Sequence, residues 1–304
     1  MQQLIPGDGF AAPTLRRVWI DYQQTRQLSP VTVRNYNHRL NFYLKDWLDL
    51  PVTSITEEMC EERHKEIAGN ASANSTFRTL RALLHYAAIK YRDADNKRCL
   101  DSNPVRRLSD LRQWRREKRK TRIIQLAQYP AFVRGVFQHD SILSRDFLLL
   151  LFFTGFRKGE AEELKWEHVD LKSGIIHLLD TKNGEDYQIP MSSYVWNLLK
   201  LRQFGANSPW VFPSPISKKD HVTCGEWMYK PVVQRSGVIF SPHDIRRSFI
   251  SLADELEIKS QVVKALVNHK DDDITERYTI RSIERLRRAT QRITDAIIHY
   301  SGLR

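Results

Sequence analysis

Apolar positions recur at helical spacing through the first hundred or so residues, bracketed by start and stop signals. Residues 14–27 place Leu15, Val18, Trp19 and Tyr22 on one stripe. Ser29 and Pro30 then supply an N-cap and a first helical residue. Tyr36, Leu40, Tyr43, Leu44 and Trp47 carry the second helix toward residue 50, where Pro51 ends it. A third helix is predicted over 57–68 and a fourth over 73–91, the latter with Phe77, Leu80, Leu84, Ala87, Ala88 and Tyr91 in phase. Asn103-Pro104 closes the module. The stripes read as core packing, so residues 1–105, after a loose Gly- and Pro-containing lead-in, are expected to form an all-α four-helix domain.

The pattern then changes. Residues 144–153 are almost wholly apolar, which predicts a buried helix. It breaks at Thr154-Gly155, where a glycine permits a sharp turn and so sets where Arg157 points. Glu160 follows Arg157 by one turn of a new helix. Residues 174–179 and 186–190 read as two short strands around Asn183-Gly184, a strong hairpin signal, with Lys182 just before the turn. A helix over 223–236 follows. Ser241 and Pro242 repeat the N-cap and first-residue pair, Asp244 favours the positive helix end, and His243 and Arg246 fall on one face at i and i+3. The helix over 260–267 stops at Asn268, a residue that tolerates the left-handed conformation, and His269 comes directly after it. Asp271 to Asp273 make a polar turn before a short helix that carries Tyr278. In the tail, Ile283, Leu286, Ile293, Ile297 and Tyr300 line one face of an amphipathic helix, which needs an apolar groove on its own domain or a neighbour. The fold class expected is mainly α with a small β-sheet (α+β): a helical domain, then a mixed helical domain over 123–304.

Charge adds a partner. The 304 residues carry a formal charge of +12, which points to a polyanion, nucleic acid rather than a membrane surface. Much of the excess lies in a connector over 106–122, where Arg106, Arg107, Arg112, Arg115, Arg116, Lys118, Arg119, Lys120 and Arg122 face only Asp110 and Glu117. Such a segment is expected to lie along phosphates, where neutralisation releases counterions, and to let two domains clamp a duplex. No apolar run reaches about 18 residues and no signal-peptide core opens the chain. Cys60, Cys99 and Cys224 lack metal-ligand spacing, so a reduced cytoplasm is expected.

The motifs T-G-F-R-K-G-E, T-K-N-G, H-D-I-R-R-S, L-V-N-H and E-R-Y-T stand in the order and approximate spacing of the tyrosine recombinase (phage integrase) family. The chain resembles its two-domain core, most of all in integrases of prophages and genomic islands. The resemblance implies Tyr278 as nucleophile, Arg157 and Arg246 as phosphate clamps, His243 and His269 as phosphate-binding and proton-handling groups, and Lys182 as general acid. Glu160 matches a supporting acidic position. Asn268 stands where Gly is usual. Implied partners are double-stranded DNA attachment sites, a homotetramer on two duplexes with exchange of the C-terminal helix, and DNA-bending or directionality factors. No further domain for other DNA sites is visible before Thr14.

The chemistry is consistent with those roles. A phenol, with a pKa of about 10, is a poor nucleophile near neutrality and must lose its proton as it attacks. Charge then grows on the non-bridging phosphate oxygens, where two guanidiniums offer planar bidentate donors. Each such contact supplies roughly 3 kcal/mol in the transition state. The 3′-phosphotyrosine conserves the phosphodiester energy, so no ATP is needed. The alternatives are a type IB topoisomerase-like enzyme, which rejoins the same strand, and a catalytically silent DNA-binding factor. The sequence has no acidic cluster for a two-metal site and no P-loop, so neither metal nor cofactor is expected. Strand cleavage should therefore proceed in EDTA without nucleotide, read as covalent protein–DNA complex on a denaturing gel; loss of that complex in EDTA is the contrary outcome.

Overall fold

In the computed structural model, which describes residues 12–92, 95–178, 187–214, 216–217, 220–269 and 282–303, the chain divides into two units, Met1–Lys120 and Thr121–Arg304. Each unit has its own core.

The first unit holds α1 (Leu15–Thr25), α2 (Pro30–Tyr43), α3 (Glu57–Glu66), α4 (Asn70–Lys90) and the single turn α5 (Arg107–Asp110). Thr14, Ser29 and Thr56 cap the first three helices, each side-chain oxygen accepting a backbone N–H at 3.2 Å. α2 stops at Tyr43, earlier than its stripe predicts. Leu44 leaves the helical region at φ −130°, and a 3₁₀ turn over Lys45–Trp47 follows. Leu44, Trp47 and Leu48 are nonetheless buried, so the apolar pattern continued because the turn faces the same core. α1 and α2 both pack on α4, around the fully buried Leu15, Leu40, Phe77, Leu80 and Leu84.

The second unit comprises α6 (Tyr129–Phe137), α7 (Ile142–Thr154), α8 (Lys158–Glu162), β1 (Val169–Asp170), β2 (Ile175–Leu178), β3 (Tyr187–Pro190), α9 (Ser193–Gln203), α10 (Glu226–Ser236), α11 (Pro242–Glu255), α12 (Ser260–Leu266) and α13 (Ile283–Ser301). Its centre is α7, buried from Asp146 through Thr154, with α6, α8, α9 and α11 packed about it. The sheet is antiparallel in the order β1-β2-β3, pairing Val169 with Ile176 and Ile176 with Ile189. β1 is too short to show a period, and α6 and α9 lie in stretches for which no element is predicted. α9 had a legible start, since Ser192 caps it and Val195 and Leu199 are buried one turn apart. The Asn183-Gly184 turn, Lys182, the Asp271–Asp273 turn and Tyr278 fall outside the described residues.

The tail helix finds its groove on its own unit. Leu286, Ala289, Ile293 and Ile297 of α13 are buried, and the helix packs on β3, α6 and α12. Tyr300 lies off the stripe, 37% exposed. Trimming the fully buried Ile293 to Ala should cost about 3 kcal/mol. Removal of 281–304 should lower the melting temperature of the second unit by far more than loss of an exposed tail; an unchanged melt of the truncated protein would show that α13 is not part of this core.

Candidate active site

Gly155 ends α7 in the left-handed conformation, φ +66°, and a Cβ placed there would meet the Phe249 ring at 2.6 Å. Only glycine satisfies both the turn and the close approach of α11. Its carbonyl accepts from Nη1 of Arg246 at 2.9 Å, so the turn that aims Arg157 also holds Arg246. Arg157 is the residue before α8. Glu160, in the first turn of that helix, accepts from the Arg157 backbone N–H and from its Nη1, both at 2.7 Å. The same carboxylate lies 4.0 Å from Nη1 of Arg246, so it sits between the two guanidiniums.

Both arginines also reach the end of α12. Nη2 of Arg157 donates to the Asn268 carbonyl at 2.7 Å, and Nη2 of Arg246 donates to that of Val267. Helix C-termini leave carbonyls unpaired and carry the negative end of the dipole, so two cations satisfy them well. Asn268 is left-handed, φ +45°, and the His269 N–H turns back to the Lys264 carbonyl at 2.9 Å. His269 is therefore held, exposed, at a helix end that the arginine pair fixes. Arg246 is 5% exposed, whereas the Arg157 side chain is nearly half open. Burial and the neighbouring Arg157 push the Arg246 guanidinium down to about 10, against the pull of Glu160, and it stays cationic at neutral pH.

His243 stands exposed on the first turn of α11, whose start is closed by Ser241 and Asp244: the Ser241 N–H and Oγ both donate to the Asp244 carboxylate at 2.9 Å. Arg157, His243 and Arg246 share a cleft of about 570 Å³ that also takes in Lys158, Tyr229 and Ser241. Of the residues expected from the sequence, Arg157, Glu160, His243 and Arg246 thus meet, with His269 at the adjoining helix end, whereas Lys182 and Tyr278 lie outside the described residues. Two further side chains went unnoticed there. Lys158 lines the cleft and donates to the Cys224 carbonyl at 3.3 Å. Tyr187, the first residue of β3, has a fully shielded hydroxyl beside Glu160, Arg157 and Arg246. Period-two alternation with the buried Ile189 was the available signal for its inward face.

The basic segment divides. Arg107 pairs with Glu61 at 3.0 Å and Glu57 at 3.3 Å on α3, and Arg115 donates to the carbonyls of Ile67 and Lys65, both at 2.7 Å, and of His64. Asn74 of α4 donates to the Arg115 carbonyl at 2.8 Å. These two arginines pin the segment to the first unit, contrary to a connector whose cations all face phosphates. Their partners lie some 40 to 50 residues earlier in the chain, which charge counting along one segment does not reveal. Arg106 pairs with Asp110 at 3.4 Å and Arg122 approaches Asp244 at 4.0 Å. Arg112, Arg116, Lys118, Arg119 and Lys120 are exposed.

Residues 114–285 match the phage integrase family, and residues 17–93 match its N-terminal SAM-like domain. The chain is 27% identical over 186 residues to prophage integrase IntF of Escherichia coli K12, a match covering 59% of this chain but only 40% of IntF. It is 25% identical over 269 residues to tyrosine recombinase XerA of Thermococcus kodakarensis, covering 87% of this chain and 89% of that protein. In three dimensions it is similar to a lambda integrase dimer bound to a core site, with a TM-score of 0.67 at 18% identity over 90% of this chain and 78% of that one. Two guanidiniums sharing one carboxylate leave net positive charge for an anion. Millimolar inorganic phosphate should accordingly raise the melting temperature, and the shift should vanish in Arg157→Ala; an equal shift in both proteins would place the anion elsewhere.

Proposed function

Because the chain belongs to the phage integrase family, we propose that it is a site-specific DNA recombinase that cuts and rejoins strands through a 3′-phosphotyrosine and serves integration or excision of a mobile element. The observation that carries this reading is the Arg157–Glu160–Arg246 cluster opening onto a cleft with His243, beside the helix end that presents His269.

In this reading the two guanidiniums take the non-bridging oxygens of the scissile phosphate. Tyr278 attacks phosphorus, the bond to the 5′ oxygen breaks, and that oxygen takes a proton from Lys182. His243 and His269 bind the phosphate and handle the proton that the phenol gives up. Burial of Arg246 makes its contact strong, since a charge-assisted bond gains where water is excluded. Rejoining reverses the steps with a new 5′ hydroxyl as attacker. The energy of the broken phosphodiester is kept in the phosphotyrosine throughout.

Double-stranded attachment sites are the proposed substrate, in line with the core site held by lambda integrase. Arg106, Arg112, Arg116, Lys118, Arg119, Lys120 and Arg122 follow the phosphates, while Arg107 and Arg115 set the course of the segment. Four strands are cut in a full exchange between two duplexes, so four chains act together as a homotetramer in the cytoplasm, with DNA-bending or directionality factors as further partners. Because α13 is seated in its own unit, its exchange between protomers must replace one buried apolar face by an equivalent one.

The test is a nicked suicide substrate carrying the attachment site, incubated with wild type and Tyr278→Phe. A covalent band present in the wild type and absent in the variant, with DNA binding unchanged, is expected. Tight binding without a wild-type band would favour a silent DNA-binding protein. A band without joining of two marked duplexes would favour a topoisomerase.

A further inference from the structure

Tyr187 places a neutral phenol against the charged cluster without serving any role assigned so far. It opens β3 with its Cα paired to Leu178, and alternation along the strand gives it the same face as the buried Ile189. Its hydroxyl has no solvent contact and no formed hydrogen bond. Burial foremost, then the Glu160 carboxylate, raises its pKa far above the ordinary phenol range, so it stays protonated and keeps an O–H to donate. Glu160 stands beside it as the acceptor within reach, though the pair does not form a hydrogen bond of good geometry, with Arg157 and Arg246 next in influence. A shielded O–H without a partner is destabilising by about 1–3 kcal/mol, and phenylalanine would fill the same space without that penalty. The place of this donor gives it a use.

Glu160 now accepts twice from Arg157 and lies 4.0 Å from Arg246. A phosphate entering the cleft competes for the same guanidinium N–H groups. As Arg157 turns toward it, the carboxylate loses a donor and needs another to remain between the arginines. We propose that Tyr187 is a positioning residue for strand cleavage, its hydroxyl donating to Glu160 as the arginines engage the scissile phosphate. The inference rests on the recombinase reading for the phosphate, and on the shielded, unpaired hydroxyl beside Glu160 for the contact.

The experiment uses the full chain with Tyr187→Phe, Glu160→Gln and the double substitution. The rate of covalent complex formation on the nicked substrate should fall roughly tenfold in Tyr187→Phe, as for loss of one hydrogen bond to a charged group. DNA affinity should stay within about twofold, and the melting temperature should hold or rise, the signature of an unpaired hydroxyl removed. The double variant should be no slower than Glu160→Gln alone, because both changes remove one interaction. A wild-type cleavage rate in Tyr187→Phe, or rate losses that multiply in the double variant, would overturn the proposal. If the wild type itself makes no complex, the recombinase reading fails, and melting shifts of the three variants in saturating inorganic phosphate still decide the contact: non-additive shifts support it and additive shifts refute it.

Discussion

Two guanidiniums hold the two carbonyls that directly follow α12, and the candidate site depends on that contact. Arg157 comes from the turn after α7 and Arg246 from the first turns of α11, yet each sends one nitrogen to the same helix end. The interaction answers two requirements at once. It satisfies backbone oxygens that a helix terminus leaves unpaired, and it fixes the direction in which His269 leaves the helix. Glu160 limits the repulsion between the cations, so they stand together in a partly buried place.

The framework beneath it is apolar. α7 is buried along nearly its whole length and brings the α8 turn and α11 to one place. Gly155 is where they meet: its conformation starts the turn, its missing side chain admits Phe249, and its carbonyl binds Arg246. Backbone handedness, packing and electrostatics therefore converge on a single small residue. α13, at the far end of the chain, closes the same core through Leu286, Ile293 and Ile297. An element that looks available for a neighbour when read as an amphipathic stripe is thus also a structural part of its own unit.

Cations on this chain perform two kinds of work that their number does not separate. Arg107 and Arg115 act within the protein, one against α3 carboxylates and the other against backbone carbonyls. Arg116, Lys118, Arg119 and Lys120 remain on the surface, where long-range attraction for a polyanion operates and salt screens it. Arg157 belongs to both groups, bonded through both terminal nitrogens and nearly half open to the cleft.

Much of this was legible in the amino-acid order. Helix starts at Thr14, Ser29 and Ser241, the left-handed stops at Gly155 and Asn268, and the strand alternation near Ile176 and Ile189 are local, because capping and turn preferences act over a few residues. The cluster of Arg157, Glu160, Arg246, His243 and His269 was also foreseen, by motif rather than by contact. What the order of residues did not contain was distance across the chain. The pairing of Arg107 and Arg115, the seat of α13 and the place of Tyr187 beside Glu160 each depend on residues tens of positions away. Local preference sets where a helix can begin and end; only the packed structure decides which charges find partners, which apolar face is covered, and which hydroxyl is left facing a carboxylate.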